Sequence, residues 1–411
     1  MKKTRVLCLL MVVCFLVAIL AACGGQSKGT GDKTGSTPSG SASKDEAAAK
    51  PKPTKIVILD PAGEEPLVKE SLEIFKKENP DLVSDYEIIP ASAPETTTKI
   101  QAEQASGNLI TTYVFTGYDG MCAGMEEGIY EEILPKHKDK LPGLEESFTE
   151  AAKLQFGMTS GMGIPHACSP GGPMTTYNPD KIANPPKDIN ELLEFAKANP
   201  GKFMYPRPIN SGAGYAWLQG LPYLLEEKDP KKPSTWEKVW PFLEEIGKYI
   251  DYYPTGSALL YKEFNEGTRW IITTAVGYET NQRVLGAMPP KMKRNFLKNL
   301  HWISDANFIC IPKGLDEARL NVSLKLTAFL MTPEQQVYTF DDGFMYPGPA
   351  IKGVELSMAA KDVQDKLGAV VTPDLTEAIN KFPTEAPLGS KELVEAFEMW
   401  DELIGSKGTL K

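Results

Sequence analysis

Histidine and cysteine are scarce in this chain, which has 3 His and 6 Cys among its 411 residues. No Cys-x-x-Cys pair occurs, so the sequence does not support a structural zinc site or a thioredoxin-like redox motif. Beyond the N-terminal region only Cys122, Cys168 and Cys310 remain, and an odd number permits at most one disulfide. We expect three buried apolar thiols, and the sequence leaves one disulfide among them open.

Basic residues are outnumbered, with 44 Lys+Arg against 54 Asp+Glu and a formal net charge of -10. A nucleic-acid-binding protein places Lys and Arg against a dense row of phosphates, whereas this chain has only short basic patches such as residues 291–298. The charge balance therefore argues against nucleic acid. The composition is otherwise globular, and a chain of this length exceeds the size at which one core stops growing. We expect two lobes.

Several enzyme motifs are missing. Neither His-Glu-x-x-His nor Gly-x-x-x-x-Gly-Lys-Ser/Thr occurs. Gly161-Met162-Gly163 begins like a dinucleotide motif, but His166 occupies the position of the third glycine. His166 and Cys168 are two residues apart, so in extended chain they would only share a face. We predict that the protein is not an enzyme and that it holds neither a cofactor nor a metal.

One long apolar run covers residues 6–22 and follows three basic residues, as in a secretory signal. Leu20-Ala21-Ala22-Cys23 resembles the bacterial lipobox, in which the chain is cut before a cysteine that carries lipid. We therefore expect residues 1–22 to be a lipoprotein signal peptide and Cys23 to be lipidated. The protein would then be exported and anchored to the outer face of a bacterial membrane. The alternative is a transmembrane helix, for which the run is short.

Residues 23–54 are rich in Gly, Ser, Thr, Lys and Ala and contain no aromatic residue. Such a composition cannot bury enough apolar surface to offset the entropy of ordering. We predict a flexible tether, with a disordered interaction tail as the alternative, and a folded part that starts near Lys55.

Beyond the tether, apolar runs alternate with amphipathic segments. Strands are predicted at residues 55–59, 86–89 and 112–115, and helices at residues 65–77 and 95–106. This βαβαβ order predicts a doubly wound, mainly parallel sheet.

A second α/β series follows Tyr177. Capping boxes at Asp188/Glu191 and Ser234/Glu237 predict helix starts, and residues 207–214 form a Gly-rich loop before an aromatic helix. Further strands are predicted at residues 202–205, 270–276 and 308–311, and the C-terminal third is predicted to be mostly helical.

Several motifs point to one family. They are Leu72-x-x-Phe75-x-x-x-Asn79-Pro80, Gly163-Ile164-Pro165 leading to Thr176-Tyr177-Asn178-Pro179-Asp180, and Pro185-Pro186-x-x-Ile189-x-Glu191-Leu192-Leu193. Together with the lipobox and the tether, they resemble the bacterial extracellular solute-binding proteins of ABC importers. The nearest branch is that of the thiamine, polyamine, iron and phosphonate binders. Asn199-Pro200-Gly201-x-Phe203-x-Tyr205-Pro206 resembles an uncharacterised group within it.

The resemblance implies a type II periplasmic-binding-protein fold with two α/β lobes, each built on a doubly wound sheet and joined by crossover strands near residues 157–180 and 270–312. Lobe 1 would comprise residues 55–175 with part of 275–320, and lobe 2 with the C-terminal helices would comprise 176–274 and 321–411. The implied partners are a small polar solute and the membrane subunits of an ABC importer, and we expect a monomer.

In open α/β sheets, ligands bind beyond the carboxyl ends of strands, where loops enter helices. This rule selects residues after the first and third strands, the loop before the aromatic helix, residues after the strand at 270–276, and a segment before Tyr177. The predicted ligand-binding residues are Asp60, Glu64, Thr116, Gly117, Tyr118, Asp119, Ser169, Asn210, Ser211, Gly212, Ala213, Gly214, Tyr215, Tyr278 and Glu279.

These residues favour two kinds of ligand. Backbone N–H groups of residues 210–214, at a helix N-terminus, suit a carboxylate, phosphate or sulfate. The four acidic side chains, with aromatic neighbours, suit an ammonium or thiazolium group. The sequence leaves anion and cation open.

We predict a lipid-anchored receptor that captures a small polar solute between two lobes and delivers it to an ABC importer. One alternative is a ferric-iron receptor, because Tyr252-Tyr253 resembles the adjacent tyrosine pair of the ferric-binding branch. The other is a lipoprotein that acts as an adhesin or structural partner, which would need no cleft.

Overall fold

The structure, a computed structural model, describes residues 52–406. The predicted signal peptide, the lipidation site Cys23 and nearly all of the tether lie outside the described residues. Within them, no helix is both long and apolar enough to cross a membrane.

Eleven strands are present in the described residues: β1 Thr54–Asp60, β2 Val83–Pro90, β3 Tyr113–Thr116, β4 Gly163–Gly172, β5 Met174–Tyr177, β6 Phe203–Met204, β7 Ile271–Thr274, β8 Lys293–Asn295, β9 Trp302–Cys310, β10 Gly348–Pro349 and β11 Thr384–Glu385.

The α-helices of the same part of the chain are α1 Glu65–Glu78, α2 Ala93–Ser106, α3 Tyr118–Glu126, α4 Leu144–Ser147, α5 Glu150–Phe156, α6 Ile189–Ala198, α7 Gly212–Leu224, α8 Val239–Gly247, α9 Ser257–Asn265, α10 Val276–Val284, α11 Glu317–Leu330, α12 Pro333–Gln336, α13 Lys361–Val370, α14 Pro373–Lys381 and α15 Ser390–Trp400. Short 3-10 helices cover Lys138–Lys140, Pro208–Asn210, Pro233–Thr235, Val337–Phe340 and Leu356–Met358, and a π-helical turn covers Asp401–Gly405.

The strands form two sheets. The larger has the order β10-β4-β9-β3-β1-β2, with β11 beside β9, and the smaller has the order β6-β7-β5-β8. β1 pairs in parallel with β2 and β3, as the βαβαβ pattern predicted. β1 is buried along most of its length because helices cover both faces of such a sheet. Helix α1 contacts β2 and buries Leu67, Leu72 and Phe75 on its inner face.

Two chain crossings connect the sheets. β4 of the larger sheet is separated from β5 of the smaller sheet by the single residue Pro173, and the chain returns between β8 and β9. Both crossings lie within the segments predicted for them. Because these strands enter from the other sheet, β4, β5, β8 and β9 pair antiparallel with their main neighbours. Each sheet is therefore mixed, where we predicted mainly parallel ones.

Two local predictions are wrong, and one strand is not visible in the local pattern. The strand predicted at 270–276 ends at Thr274, and α10 begins at Val276. Because both segments are largely buried, the sequence does not show where the two-residue period of a strand gives way to the 3.6-residue period of a helix. Ser234 lies in a 3-10 helix, and the Glu227 carboxylate instead accepts the N–H groups of Lys238 and Val239 at the start of α8. The residue pattern alone does not indicate β4, because it contains Pro and Gly, which it accommodates with register shifts; only the family resemblance implied a crossover strand near residues 157–180.

We predicted that the whole chain after residue 320 packs with the smaller sheet, but part of it packs with the larger one. Helix α11 packs against β1 and α1, and β10 pairs with β4, so this stretch belongs to the larger sheet. Helix α13 packs against α10, which follows β7 of the smaller sheet. The physical reason is that β1 and α1 leave an apolar surface that only a later helix covers.

Candidate ligand-binding cavity

A cavity of about 490 Å³ lies where β1, β2, β3 and β6 end. Its position follows the rule that ligands bind beyond the carboxyl ends of strands. The lining residues are Pro61, Ala62, Ser92, Ala93, Pro94, Thr116, Gly117, Tyr118, Asp119, Pro208, Ile209, Ser211, Gly212, Tyr215, Asp305, Asn307, Phe344, Met345, Leu393 and Phe397.

Three helices begin at the cavity wall. Ser92 caps α2 and forms a capping box with Glu95, Gly117 precedes α3, and Ser211 caps α7. Ser211 Oγ accepts the N–H of Gly214 at 3.3 Å and lies 2.6 Å from the hydroxyl oxygen of Ser257, at the start of α9. α2 and α3 follow β2 and β3 of the larger sheet, and α7 is the next α-helix after β6 of the smaller sheet, so loops from both sheets face one space.

Seven predicted site residues line this cavity: Thr116, Gly117, Tyr118, Asp119, Ser211, Gly212 and Tyr215. They come from the third strand of the larger sheet and from the Gly-rich segment before α7. Asn210 ends the 3-10 helix Pro208–Asn210, next to the lining residue Ile209. Ala213 and Gly214 are buried in the first turn of α7 and do not line the cavity. A side chain at Gly214 would collide with the backbone carbonyl of Pro206.

Asp60 and Glu64 lie at the start of α1 and do not line the cavity. The Asp60 carboxylate accepts the N–H groups of Glu64 at 2.8 Å and Glu65 at 2.9 Å. Burial raises the pKa of Asp60, although these two hydrogen bonds oppose the shift. The Glu64 side chain is buried against His166. Neither carboxylate is therefore positioned to meet a solute in the cavity.

Ser169, Tyr278 and Glu279 also lie outside the cavity lining. Ser169 is buried in β4, where its hydroxyl accepts the N–H of Gly171 at 3.1 Å. The predicted loop at 277–281 is the first part of α10, on which the Tyr278 ring packs 5.2 Å from that of Tyr261. Glu279 forms ion pairs with two arginines in the core, so it has a structural role.

The charge of the cavity wall is negative. Among the described residues that line it, the ionisable acids are Asp119 and Asp305, and none is Lys, Arg or His. Asp305 lies on β9, where burial raises the pKa of its carboxyl to about 6 and the nearby Asp119 charge acts in the same direction. Asn307, two residues further on, is 7% exposed, and its Nδ2 has no hydrogen-bond partner among the described residues.

Sequence reasoning missed Asp305, Asn307 and Ser92. The first two alternate with apolar residues along β9, so a period-two pattern could have placed them on one face. Ser92 follows the second strand, and the rule used for the first and third strands would have selected it. Leu393 and Phe397 on α15 reach the cavity only through the path of the C-terminal chain, for which no local pattern exists.

The tyrosine pair considered for iron is used in packing. The Tyr253 ring lies 5.0 Å from the rings of both Tyr205 and Trp400, and the Tyr252 hydroxyl donates to Glu263. Neither tyrosine lines the cavity. Within residues 52–406, no group of three or more His, Cys, Asp or Glu side chains is arranged to hold a metal ion.

Residues 70–369 match the sequence profile of the bacterial extracellular solute-binding proteins. This match covers well over half of the chain. The chain belongs to this family. The predicted family and class of function are thereby confirmed: the protein is an extracellular solute-binding protein.

One curated relative is protein YnjB of Escherichia coli (strain K12), 27% identical over 187 residues, which are 42% of this chain and 47% of YnjB. The chain thus matches about half the length of that relative.

Two crystal structures show the fold. An ABC transporter protein from Clostridium perfringens ATCC 13124 superposes with a TM-score of 0.62 and 16% identity over 85% of this chain and 99% of that one. The spermidine/putrescine substrate-binding protein PotD from Streptococcus pneumoniae strain Canada MDR_19A superposes with a TM-score of 0.60 and 15% identity, over 85% and 98%. These likenesses confirm the predicted two-lobed α/β fold.

Proposed function

We propose that this solute-binding protein captures a small polar solute in the cavity between its two sheets and delivers it to the membrane subunits of an ABC importer. The observation that carries the proposal is that loops from both sheets, ending β1, β2, β3 and β6, line one space. Its volume of about 490 Å³ lies within the range typical of small-molecule sites.

The two chain crossings make this geometry suitable for capture. A solute that touches both sides of the cavity has more contacts when the sides are close together, so binding favours the closed arrangement. We propose that the importer distinguishes this arrangement from the empty one. The sheets would then be the two lobes, with α11 and β10 assigned to the first lobe.

We further propose that the receptor acts as a monomer, tethered by residues 23–54 to a lipid on Cys23. The lipobox supports this anchor, and two or more acyl chains give stable attachment where one does not. Mass spectrometry of the N-terminal peptide should show a chain that begins at a lipid-bearing Cys23, and Cys23→Ser should lose both the lipid and the cleavage. If the wild-type chain retains residues 1–22 and carries no lipid, the apolar run at 6–22 is a transmembrane helix and the lipid anchor is wrong.

The cavity is tested by filling it. A Cβ added at Gly212 would meet no atom within 4 Å, so Gly212→Trp should fold and place an indole at the cavity wall. Gly368→Trp is the matched control, because Gly368 is also an exposed helical glycine with open space but lies on α13 outside the cavity. Thermal unfolding without ligand should be similar in both variants and the wild type.

Native mass spectrometry of the detergent-solubilised protein, compared with its denatured mass, reports any solute that copurifies. We expect an added mass in the wild type and in Gly368→Trp, and its loss in Gly212→Trp. A panel of small solutes tested by thermal shift gives the same comparison for added ligands. Equal binding by Gly212→Trp and Gly368→Trp would place the solute elsewhere.

A further inference from the structure

We infer that the solute is cationic, with an amine or quaternary ammonium group that binds between the carboxylates of Asp119 and Asp305. This inference rests on the proposed function of the cavity and specifies the chemical class of its ligand.

The first observation is that two carboxylates face one space in which no described lining residue is basic. Asp119 in the first turn of α3 and Asp305 on β9 both line the cavity, and neither forms an ion pair with a described residue. They are close enough for the Asp119 charge to act on the Asp305 carboxyl. Asp119 is exposed to water and Asp305 is partly exposed. A solute that fills the cavity would remove both carboxylates from water, which is costly unless a cation compensates them. A cationic solute would supply the missing charge.

The second observation is independent of the acidic pair. The Asn307 amide lies on the same strand face as Asp305, is 7% exposed, and has an Nδ2 atom with no partner among the described residues. Buried amide groups are normally hydrogen-bonded, and Nδ2 is a donor, so its lack of a partner at a cavity wall indicates an acceptor atom on the solute, such as a hydroxyl or carbonyl oxygen beside the cationic group. On the opposite side, Tyr215 also lines the cavity, and its hydroxyl is within electrostatic reach of Asp305.

The three helix N-termini at the wall would by themselves favour an anion. Each already has a partial compensation within the chain. Glu95 closes the capping box at the start of α2, Asp119 lies in the first turn of α3, and the Ser211 hydroxyl accepts an N–H group of α7. Because the described lining residues include two acidic side chains and no basic one, the charge of the side chains favours a cation.

The remaining wall is suited to an organic cation rather than a bare metal ion. Tyr118, Tyr215, Phe344 and Phe397 all line the cavity, and the rings of Tyr215 and Phe397 lie 6.5 Å apart. Aromatic faces attract alkylammonium groups and also pack against their carbon chains. The described residues offer no cluster of ligands for a metal.

A matched set of four-carbon probes tests the charge class: 1,4-diaminobutane, 4-aminobutanoate, 1,4-butanediol and succinate, with choline as a bulkier cation. The full-length receptor is stripped of bound solute, and its melting temperature is measured with each probe at about 10 mM, where even weak binding to the native state stabilises it. We expect stabilisation by 1,4-diaminobutane or choline, and none by succinate. Stabilisation only by succinate or butanediol, or no response to either cation, overturns the inference.

Three single variants locate the effect. Asp119→Asn and Asp305→Asn should each weaken binding of the stabilising cation about 10- to 100-fold by calorimetry, because each loses a charge-assisted contact. Asp362→Asn removes the same charge from an exposed position on α13 and should bind like the wild type. Unchanged affinity in both cavity variants overturns the inference even if a cation binds.

The outcome for the proposed function is separate. If succinate stabilises the wild type and Gly368→Trp but not Gly212→Trp, the cavity is the binding site and only the inferred positive charge of the solute is wrong. If a probe binds equally to all three proteins, the cavity itself is not the site.

Discussion

The Nδ1 atom of His166 lies 2.7 Å from Oε2 of Glu64, and the two side chains are only 1% and 0% exposed. This contact joins the start of α1 to β4, the strand that leads to the smaller sheet. Glu64 was predicted to bind ligand and His166 was considered as a partner of Cys168. In the structure, Glu64 and His166 instead form a buried pair beside the larger sheet.

Replacing His166 with Ala should lower the free energy of unfolding by about 1–3 kcal/mol, because it leaves the buried Glu64 carboxyl without its hydrogen-bond partner. Glu64→Gln is the milder comparison, since an amide can still hydrogen-bond the ring. Urea unfolding followed by far-UV circular dichroism measures both. A His166→Ala midpoint equal to that of the wild type would show that the pair does not contribute to stability.

Loss of a partner of the buried Glu279 carboxylate should lower the free energy of unfolding more than loss of His166. Arg294 lies 2.6 Å from Glu279 and also donates to the carbonyl of Val370 and the hydroxyl of Thr372, both at 3.0 Å. Breaking a buried ion pair by removing one partner costs about 3–5 kcal/mol, so Arg294→Met should destabilise the protein by that order.

The control for Arg294→Met is Lys361→Met, which removes the same charge from an exposed ion pair on α13 and should change stability by less than about 1 kcal/mol. Chemical unfolding distinguishes the two variants, and cation binding per remaining folded molecule should be unaffected in both. Equal unfolding midpoints would contradict the structural role of Glu279.

Asp305→Asn should stabilise the ligand-free receptor at alkaline pH. Burial raises the pKa of this carboxyl from 3.8 to about 6, so its protonated form favours folding, and that contribution is lost as the pH rises through about 6. The neighbouring groups that face it are Asp119 from α3, Cys168 from β4 and Tyr215 from α7. None of these neighbours is a cation.

The advantage of Asp305→Asn over the wild type should therefore grow between about pH 4 and pH 7 and then level off, reaching at most about 3 kcal/mol for a shift of this size. Melting temperatures of the two proteins across that range, without ligand, provide the measurement. A variant less stable than the wild type at pH 8 would show that the ionised carboxyl already has a compensating partner.

The three cysteines of the described residues should be inert in the folded protein. Cys122, Cys168 and Cys310 are free and buried, as expected from the sequence. Burial raises the pKa of Cys122 to about 12 and raises those of Cys168 and Cys310 as well, so little thiolate forms at neutral pH. Iodoacetamide at pH 7 should label all three only after denaturation, as read by peptide mapping. Labelling of native Cys168 would revive the thiol–imidazole interpretation.

The local sequence pattern was sufficient to predict those elements whose structure depends mainly on their own residues. The amphipathic spacing of residues 65–77 predicted α1, observed as Glu65–Glu78, and Asp188 does cap α6. The apolar run at 55–59 lies within β1, in a parallel pairing. Pattern was insufficient for β4, whose prolines and glycines oppose strand formation, and where burial between neighbouring strands overrides that preference.

The residues of the candidate site also fall into two groups, those that local sequence could select and those that it could not. Thr116, Gly117, Asp119 and Ser211 could be selected because the ends of strands are visible in the sequence, and ligands bind beyond them. Glu64 and Glu279 satisfied the same rule, but their carboxyl groups contact side chains that are distant in the chain, His166 and Arg294. Sequence shows where a carboxylate lies along the chain and not which group faces it.

The sequence by itself determined the family, the two-lobed α/β fold and the strand ends that border the cavity, since each depends on local patterns and motifs. Only the tertiary structure decided that Asp119 and Asp305 share one space without a basic neighbour among the described lining residues. That juxtaposition depends on β9 returning from the smaller sheet to lie beside β3. The charge of a cavity is a sum over residues from separate segments, and it exists only once the chain crossings bring them together.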